Sequence, residues 1–82
     1  TADLSLSDMV SEAGLDTASA VVDHFLDRLM AVPVSAAQRS ALVEVLERHM
    51  GTSSVAEARS YLEDPLRELV FRIMSLPEYQ LG

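Results

Sequence analysis

The sequence contains no cysteine, which excludes disulfide bonds, thiolate metal ligands and cysteine nucleophiles. It has only three glycines, too few for a glycine-rich phosphate loop, and it contains no calcium-loop or nucleophile-elbow motif. No run of about 18 apolar residues, the length that a membrane-spanning helix needs, is present. These absences argue against several classes of enzyme and nucleotide-binding protein. We therefore expect no cofactor and no insertion into a membrane.

Lysine is also absent, and the six basic residues are arginines scattered along the chain. Thirteen acidic residues outnumber them and give a net charge of −7. Binding to a phosphate backbone requires a basic stripe that displaces counterions, and adhesion to anionic lipid requires a cluster of basic residues. The charge therefore predicts no nucleic-acid partner. It is typical of a small apolar domain that acidic side chains keep in solution.

Aromatic residues make up only 5% of the chain, whereas hydrophobic residues make up 49%. The hydrophobic fraction is too high for a disordered segment. A chain of 82 residues forms one domain at most, with a small core. Thr1 is not a methionine, and no signal-like segment follows it. We therefore expect residues 1–82 to be a single helical domain, and Thr1 to be an internal residue of a longer precursor or the start of an excised piece.

Helical periodicity with matching cap residues recurs five times, and no segment shows the alternation of a strand. The predicted helices cover residues 6–13, 17–30, 35–50, 54–62 and 64–75. Their predicted N-terminal caps are Ser5 with Asp8, Asp16 or Thr17, Ser35 with Gln38, Ser54 with Glu57, and Asp64 before Pro65. Gly14 and Gly51 follow helix ends, as glycine commonly does. The pattern predicts an all-α fold, a small bundle of four to five short helices.

The last predicted helix is apolar on most of its circumference. Its candidate packing or interaction surface consists of Leu69, Val70, Phe71, Ile73 and Met74. A helix that is apolar on most sides is normally buried on most sides, and so small a chain has little interior. Two interpretations stay open: the helix is the central one of the bundle, or one of its sides docks on protein outside this chain. The second predicts an exposed apolar patch of roughly several hundred Å².

Candidates for catalytic or metal-binding residues are few. His49 lies on an apolar helix face, which favours a half-buried histidine at a helix end, and His24 lies on a polar side, which favours the surface. No His-x3-His or Glu-x-x-His pairing supports a metal site. Asp23 and Asp27 lie four residues apart, and this spacing favours a solvated acidic strip over an acid–base pair. The sequence predicts neither a catalytic site nor a metal site.

One class of acidic helical protein, the carrier proteins, attaches phosphopantetheine to the serine of a Gly-x-Asp-Ser-Leu motif. Residues 14–18 read Gly-Leu-Asp-Thr-Ala and resemble that motif loosely. Thr17 stands in place of the serine and Ala18 in place of the leucine. The long first helix and loop that precede the motif in carriers are also missing. These departures disfavour a carrier function.

The closing residues 69–80, LVFRIMSLPEYQ, resemble the end of a large bacterial family, the domain-of-unknown-function family numbered eighteen hundred. Members of that family commonly finish with a leucine-rich helix followed by Ser-Pro-Glu-Phe-Gln. Here Ser75, Pro77, Glu78 and Gln80 match in kind and order, with one extra residue after the serine and Tyr79 in place of phenylalanine. The upstream layout of helices is also similar, so the resemblance covers residues 15–82.

The resemblance implies that this chain is the C-terminal helical part of a larger exported or periplasmic protein, often with a twin-arginine signal far upstream. No reaction is established for that family, so no functional residue is carried over from it. We expect a non-catalytic structural or interaction module, whose partner is the remainder of the parent protein or another protein. The alternative is a free-standing binding or dimerisation domain that acts as a homodimer or docks a partner helix.

Overall fold

The computed structural model describes residues 5–81 and shows six α-helices joined by short connections. They are α1 (Leu6–Ala13), α2 (Ala18–Leu29), α3 (Ala36–Met50), α4 (Val55–Ala58), α5 (Glu63–Met74) and α6 (Pro77–Leu81), with a 3₁₀ turn at Arg59–Tyr61. Within this range there is no strand, although Thr17 and Ser54 form an isolated antiparallel bridge. The predicted all-α class is confirmed. The short helix α6, which was not among the five predicted helices, brings the number of helices to six.

The first three helices begin where local side chains satisfy free backbone N–H groups. Ser5 and Thr17 each accept a hydrogen bond from the N–H three residues further on, at 3.2 and 3.1 Å. Ser35 and Gln38 form both halves of a capping box, at 3.0 and 3.1 Å. Gly14 ends α1 with φ at 70°, a left-handed conformation that glycine adopts without a steric penalty. These predicted caps are confirmed.

The predicted Asp64 cap is wrong, because α5 begins at Glu63, two residues before the predicted first helical position at Pro65. Leu62 already has helical dihedral angles, φ −70° and ψ −27°, since the 3₁₀ turn leads directly into α5. No capping side chain is therefore needed at this start. Pro65 falls in the first turn of α5, where a backbone N–H has no partner within the helix.

Ser54 is the N-cap residue of α4, as predicted, but its side chain makes no capping hydrogen bond. A neighbouring hydroxyl instead binds the backbone N–H of Ser54 itself. Thr52 Oγ1 accepts a hydrogen bond from the Ser54 N–H at 3.1 Å and donates one to Glu57 at 2.9 Å. The helix that starts here is also shorter than predicted, since the α-helical geometry changes to the 3₁₀ turn after Ala58.

The buried apolar side chains form one cluster, and α5 lies at its centre. This helix packs against α1, α2, α3 and α6. Its residues Leu66, Leu69 and Ile73 have no exposed area. No polar or charged residue in the described range is buried, so the core depends on apolar contacts.

The bundle is thin, with dimensions of 34 × 31 × 18 Å. A helix with its side chains is about 10–12 Å across, so the short dimension holds no more than two layers of helices. A central helix can therefore be covered on its inner side while its outer side stays open. The first interpretation of the last helix is confirmed, because α5 is central. Its outer side also carries exposed apolar residues, and docking of that side on other protein stays a prediction. Among residues 5–81, no helix combines the length and apolar character needed to span a membrane.

Candidate functional site

An open groove runs between α3 and α5 and has a volume of about 410 Å³. Its lining residues are Gln38, Ala41, Leu42, Val45, Glu68, Phe71, Arg72, Ser75 and Leu76. We call this surface the α3–α5 groove. Its position makes it the candidate functional site, since one wall belongs to the central helix of the bundle.

Two helical faces create the groove. Each wall contributes four residues at i, i+3, i+4 and i+7, a spacing that keeps side chains on one side of a helix. They are 38, 41, 42 and 45 from α3, and 68, 71 and 72 from α5 with 75 at its C-terminal cap. The two helices run antiparallel. Gln38 at the start of α3 is bonded to Glu78 just after α5, and Tyr61 just before α5 donates to the carbonyl oxygen of Met50 at the end of α3, at 2.6 Å.

The floor of the groove is apolar, and an exposed aromatic ring stands at its lip. Leu42 is buried in the floor, while Val45 and Leu76 are half-buried. On the α5 side, Phe71 exposes 66% of its surface, and Met74 one turn further on exposes 44%. Phenylalanine and methionine are among the residues most often found inside proteins. The groove and its lip thus offer a connected apolar surface to a binding partner.

Hydrogen-bonded polar side chains lie at one end of the groove and along one of its walls. Gln38 Nε2 donates to both carboxylate oxygens of Glu78, at 3.1 and 3.0 Å, while Gln38 Oε1 accepts from the Ser35 N–H. The amide is therefore fixed by two partners at once. Along α5, Arg72 Nε donates to Glu68 at 2.7 Å. This i,i+4 pair leaves charges of both signs at the edge of an apolar surface.

The structure divides the five residues predicted as one packing or interaction surface. Leu69 and Ile73 are fully buried and belong to the core. Val70 is half-buried against the core, whereas Phe71 and Met74 are exposed. Apolar periodicity alone grouped them, because it does not distinguish the covered side of a helix from the open one. The exposed part, Phe71 and Met74, together with the groove, is the candidate interaction surface.

The α3 wall of the groove was missed by sequence reasoning. Apolar periodicity places Leu42 and Val45 on one face of α3, and periodicity alone does not separate a core residue from a groove residue on that face. The buried stripe in fact repeats every four residues, at Leu42, Leu46 and Met50. Val45 lies beside that stripe and faces the groove instead. Only the position of the neighbouring helix reveals this.

Asp23 is exposed, as predicted for a solvated acidic strip, but it is also paired with a basic side chain. It accepts hydrogen bonds from Arg39 Nε at 2.5 Å and Nη2 at 2.8 Å, and Arg39 Nη2 also donates to Ser19 at 2.6 Å. The hydrogen bond from Arg39 lowers the pKa of Asp23, against the opposing effect of burial. Asp27 stays exposed. The pairing joins α2 to α3 and supports one wall of the groove from behind.

Glu63, the first residue of α5, binds the first turn of α1. Its carboxylate accepts hydrogen bonds from the N–H groups of Leu6 at 3.2 Å and Ser7 at 3.0 Å, and from Arg67 at 3.4 Å. Burial raises the pKa of Glu63, but these hydrogen bonds outweigh burial, and the pKa is lowered. Sequence reasoning missed this contact, because the partners on α1 lie more than fifty residues away.

Neither histidine is placed as predicted. His49 is exposed, since it lies beside the buried stripe of α3. His24 is half-buried, with its ring edge against Phe25 at a centroid distance of 5.6 Å. In the range from 5 to 81, no three His, Asp or Glu side chains come together as a metal-binding group. The hydroxyl of Thr17, the residue at the carrier-like motif, is bonded as the cap of α2.

Comparisons with models of protein families, with curated proteins and with solved structures find no match. The resemblance of residues 69–80 to the bacterial family therefore stays a prediction. The functional argument depends on the geometry of the α3–α5 groove and on the chemistry of the side chains around it.

Proposed function

We propose that this chain is a non-catalytic protein-interaction module that binds a protein partner at the α3–α5 groove. The observation that carries the proposal is Phe71, which exposes 66% of its surface at the lip of a groove with an apolar floor. Aromatic residues are enriched at the energetic centres of protein interfaces. A side chain of this kind, beside a concave apolar surface, is suited to anchoring a partner.

The energy available from Phe71 is sufficient for an anchor. Full burial of a phenylalanine side chain contributes about 1.5–3 kcal/mol, so covering the exposed two-thirds contributes about 1–2 kcal/mol. Met74 and the half-buried Val45 and Leu76 add to this apolar surface. The interface is therefore expected to be small and centred on one ring.

The shape of the groove favours a helical ligand. Two antiparallel helices form its walls, and α5, with its twelve residues, is about 18 Å long. An amphipathic helix that lies along such a groove presents anchors at i, i+3, i+4 and i+7. Three or four turns of helix would match the length of the groove.

We also propose, from the resemblance of residues 69–80, that the chain belongs to a larger exported bacterial protein. The remainder of that protein would then be one source of the partner. The full sequence of the parent gene product tests this proposal. A long precursor with an N-terminal twin-arginine signal is expected, whereas a short free-standing product would contradict it.

Cysteine accessibility tests the interaction proposal directly, since residues 1–82 contain no cysteine. Ser75→Cys places a thiol in the groove, and Ser40→Cys places a matched thiol on an exposed part of α3 outside the groove. Both variants are made in the complete parent protein and treated with a maleimide before and after denaturation. We expect labelling of the Ser75 variant to be slowed at least about tenfold in the native protein, the effect of about 1.4 kcal/mol of protection. Equal native labelling of the two variants would refute a covered groove.

A further inference from the structure

The open side of α5 carries charges of both signs around an apolar centre. Glu68 lies one turn before Phe71 on the same face, and Arg72 follows Phe71 directly. The side chains of Glu68 and Arg72 are exposed by 34% and 48%, so both are accessible to a partner. An acidic group, an aromatic ring and a basic group therefore lie within about 6 Å along the helix axis.

When two copies of α5 pack antiparallel, the acidic group of each copy faces the basic group of the other. In a contact with two-fold symmetry, a residue i of one copy meets a residue j of the other, and j meets i. A two-fold axis near Phe71, perpendicular to α5, places Glu68 of each copy opposite Arg72 of the other copy. The same axis brings the two Phe71 rings together at the centre.

The groove offers space for the ring that this arrangement brings in. Phe71 stands at the lip of the α3–α5 groove, so the Phe71 ring of a second copy reaches the groove mouth beside it. The groove volume of about 410 Å³ exceeds that of a phenyl ring. Both rings thereby lose contact with water, and both grooves are covered by one symmetric contact.

Long-range repulsion between two copies is limited, although each carries a net charge of −7. The Debye length at physiological ionic strength is about 8 Å, and exposed charges further apart than this are largely screened. Many of the acidic residues lie outside α5, in a molecule with a radius of gyration of 12.2 Å. The charges nearest to the contact, Glu68 and Arg72, pair within each chain at 2.7 Å, and in the dimer each also lies opposite the counter-charge of the other copy. Antiparallel helices also place opposite dipole ends side by side.

We propose that the occupant of the α3–α5 groove is a second copy of this chain, in a homodimer with its two-fold axis near Phe71. The proposal rests on the proposed function, that this face binds protein, and names the partner. The contact between two helices of this length falls below the roughly 1,200 Å² of a standard interface. The dimer is therefore weak and depends on protein concentration.

Sedimentation equilibrium of the 82-residue chain tests the dimer. The monomer has a mass of 8.9 kDa, and we expect the measured mass to rise toward twice that value between about 1 µM and 1 mM protein. Phe71→Ala should weaken the association at least about tenfold, because it removes the central apolar contact. A monomeric mass over the whole concentration range would overturn the proposal.

Charge reversal tests the symmetry of the contact. In E68R the charges at positions 68 and 72 are both positive, and in R72E both are negative, so each variant repels its own copies. We expect each variant alone to associate at least about tenfold more weakly than the unsubstituted chain. An equimolar mixture recreates both attractive pairs across the contact and should restore the dimer. Pairing within one chain cannot produce this restoration, since neither variant contains opposite charges at the two positions.

Two control variants separate the contact from net charge. E57R and R28E change the net charge by the same amounts at exposed positions outside the groove, and should dimerise as the unsubstituted chain does. Circular dichroism confirms that all four variants are folded. The proposal is overturned if E68R alone dimerises normally, or if the mixture of E68R and R72E stays monomeric. Protection of the Ser75 thiol in the parent protein would then still support the proposed function, with a different protein in the groove.

Discussion

Replacement of Ile73 by alanine should remove a large part of this protein's free energy of unfolding. Ile73 lies on the inner side of α5 and has no exposed area. Its environment is the apolar core to which α1 to α5 contribute. Truncation therefore removes buried methyl and methylene groups and leaves a cavity that the neighbouring helices fill only in part.

The magnitude follows from the burial. Substitution of a fully buried isoleucine by alanine costs about 2–5 kcal/mol. Natural domains have about 0.05–0.15 kcal/mol of stability per residue, which gives about 4–12 kcal/mol for 82 residues. The substitution thus removes between a sixth and all of the free energy of unfolding. A value in the middle of both ranges leaves the domain folded but much closer to its unfolding transition.

Phe71→Ala is the matched control on the same helix. Phe71 is 66% exposed, so only about one-third of its burial energy, about 0.5–1 kcal/mol, is lost. Alanine also has a higher helix propensity than phenylalanine, by roughly 0.5 kcal/mol. The two effects nearly cancel. We therefore expect the monomer of this variant to keep its stability within about 0.5 kcal/mol.

Urea unfolding followed by circular dichroism measures both variants at low protein concentration, where self-association does not contribute. Small domains have a denaturant slope of about 1 kcal/mol per molar urea, so Ile73→Ala should lower the midpoint by about 2 M or more. The Phe71 variant should shift it by less than about 0.5 M. Equal midpoint shifts, or a larger loss for Phe71→Ala, would refute the assignment of the inner and outer sides of α5.

Three further perturbations have expected outcomes. The lowered pKa of Glu63 means that its ionised form stabilises the fold at neutral pH, and this contribution is lost as the pH falls below the ordinary value of 4.5. Glu63→Gln should therefore lower the urea midpoint at neutral pH and reduce its further fall on acidification; a parallel pH profile would contradict this. Gly51 has φ at 75° with open space around it, so Gly51→Ala should lower the free energy of unfolding by about 1–2 kcal/mol through backbone strain alone. An unchanged urea midpoint would contradict the left-handed conformation. A double-mutant cycle of Asp23→Ala and Arg39→Ala should give a coupling energy of about 0.2–1 kcal/mol, because the two side chains are 57% and 36% exposed. A coupling energy above about 2 kcal/mol would mean that the pair is more buried than the structure shows.

The helix starts show which features are predictable from sequence. The caps at Ser5, Thr17 and Ser35 involve a side chain and a backbone group three residues away, so the chemistry is contained in the local sequence. The start of α5 was mispredicted, because it depends on a 3₁₀ turn that carries the helical geometry through Leu62. The hydrogen bonds that Thr52 makes with the Ser54 N–H and the Glu57 side chain were missed, since Thr52 lies outside the predicted helix.

The groove shows which features sequence reasoning cannot supply. Phe71 and Met74 were correctly included in a candidate surface, but so were Leu69 and Ile73, which belong to the core. The opposite wall and the Gln38–Glu78 contact were not predicted, because they join residues forty positions apart. Such contacts depend on which helices become neighbours.

The sequence by itself determined the all-α class, three of the helix caps and the apolar character of the last helix. These properties follow from spacings of three or four residues and from the residue types present. Only the tertiary structure decided which side of α5 is covered and which is open. The physical reason is the thinness of the bundle, whose 18 Å dimension holds no more than two layers of helices and leaves Phe71 beside the α3–α5 groove.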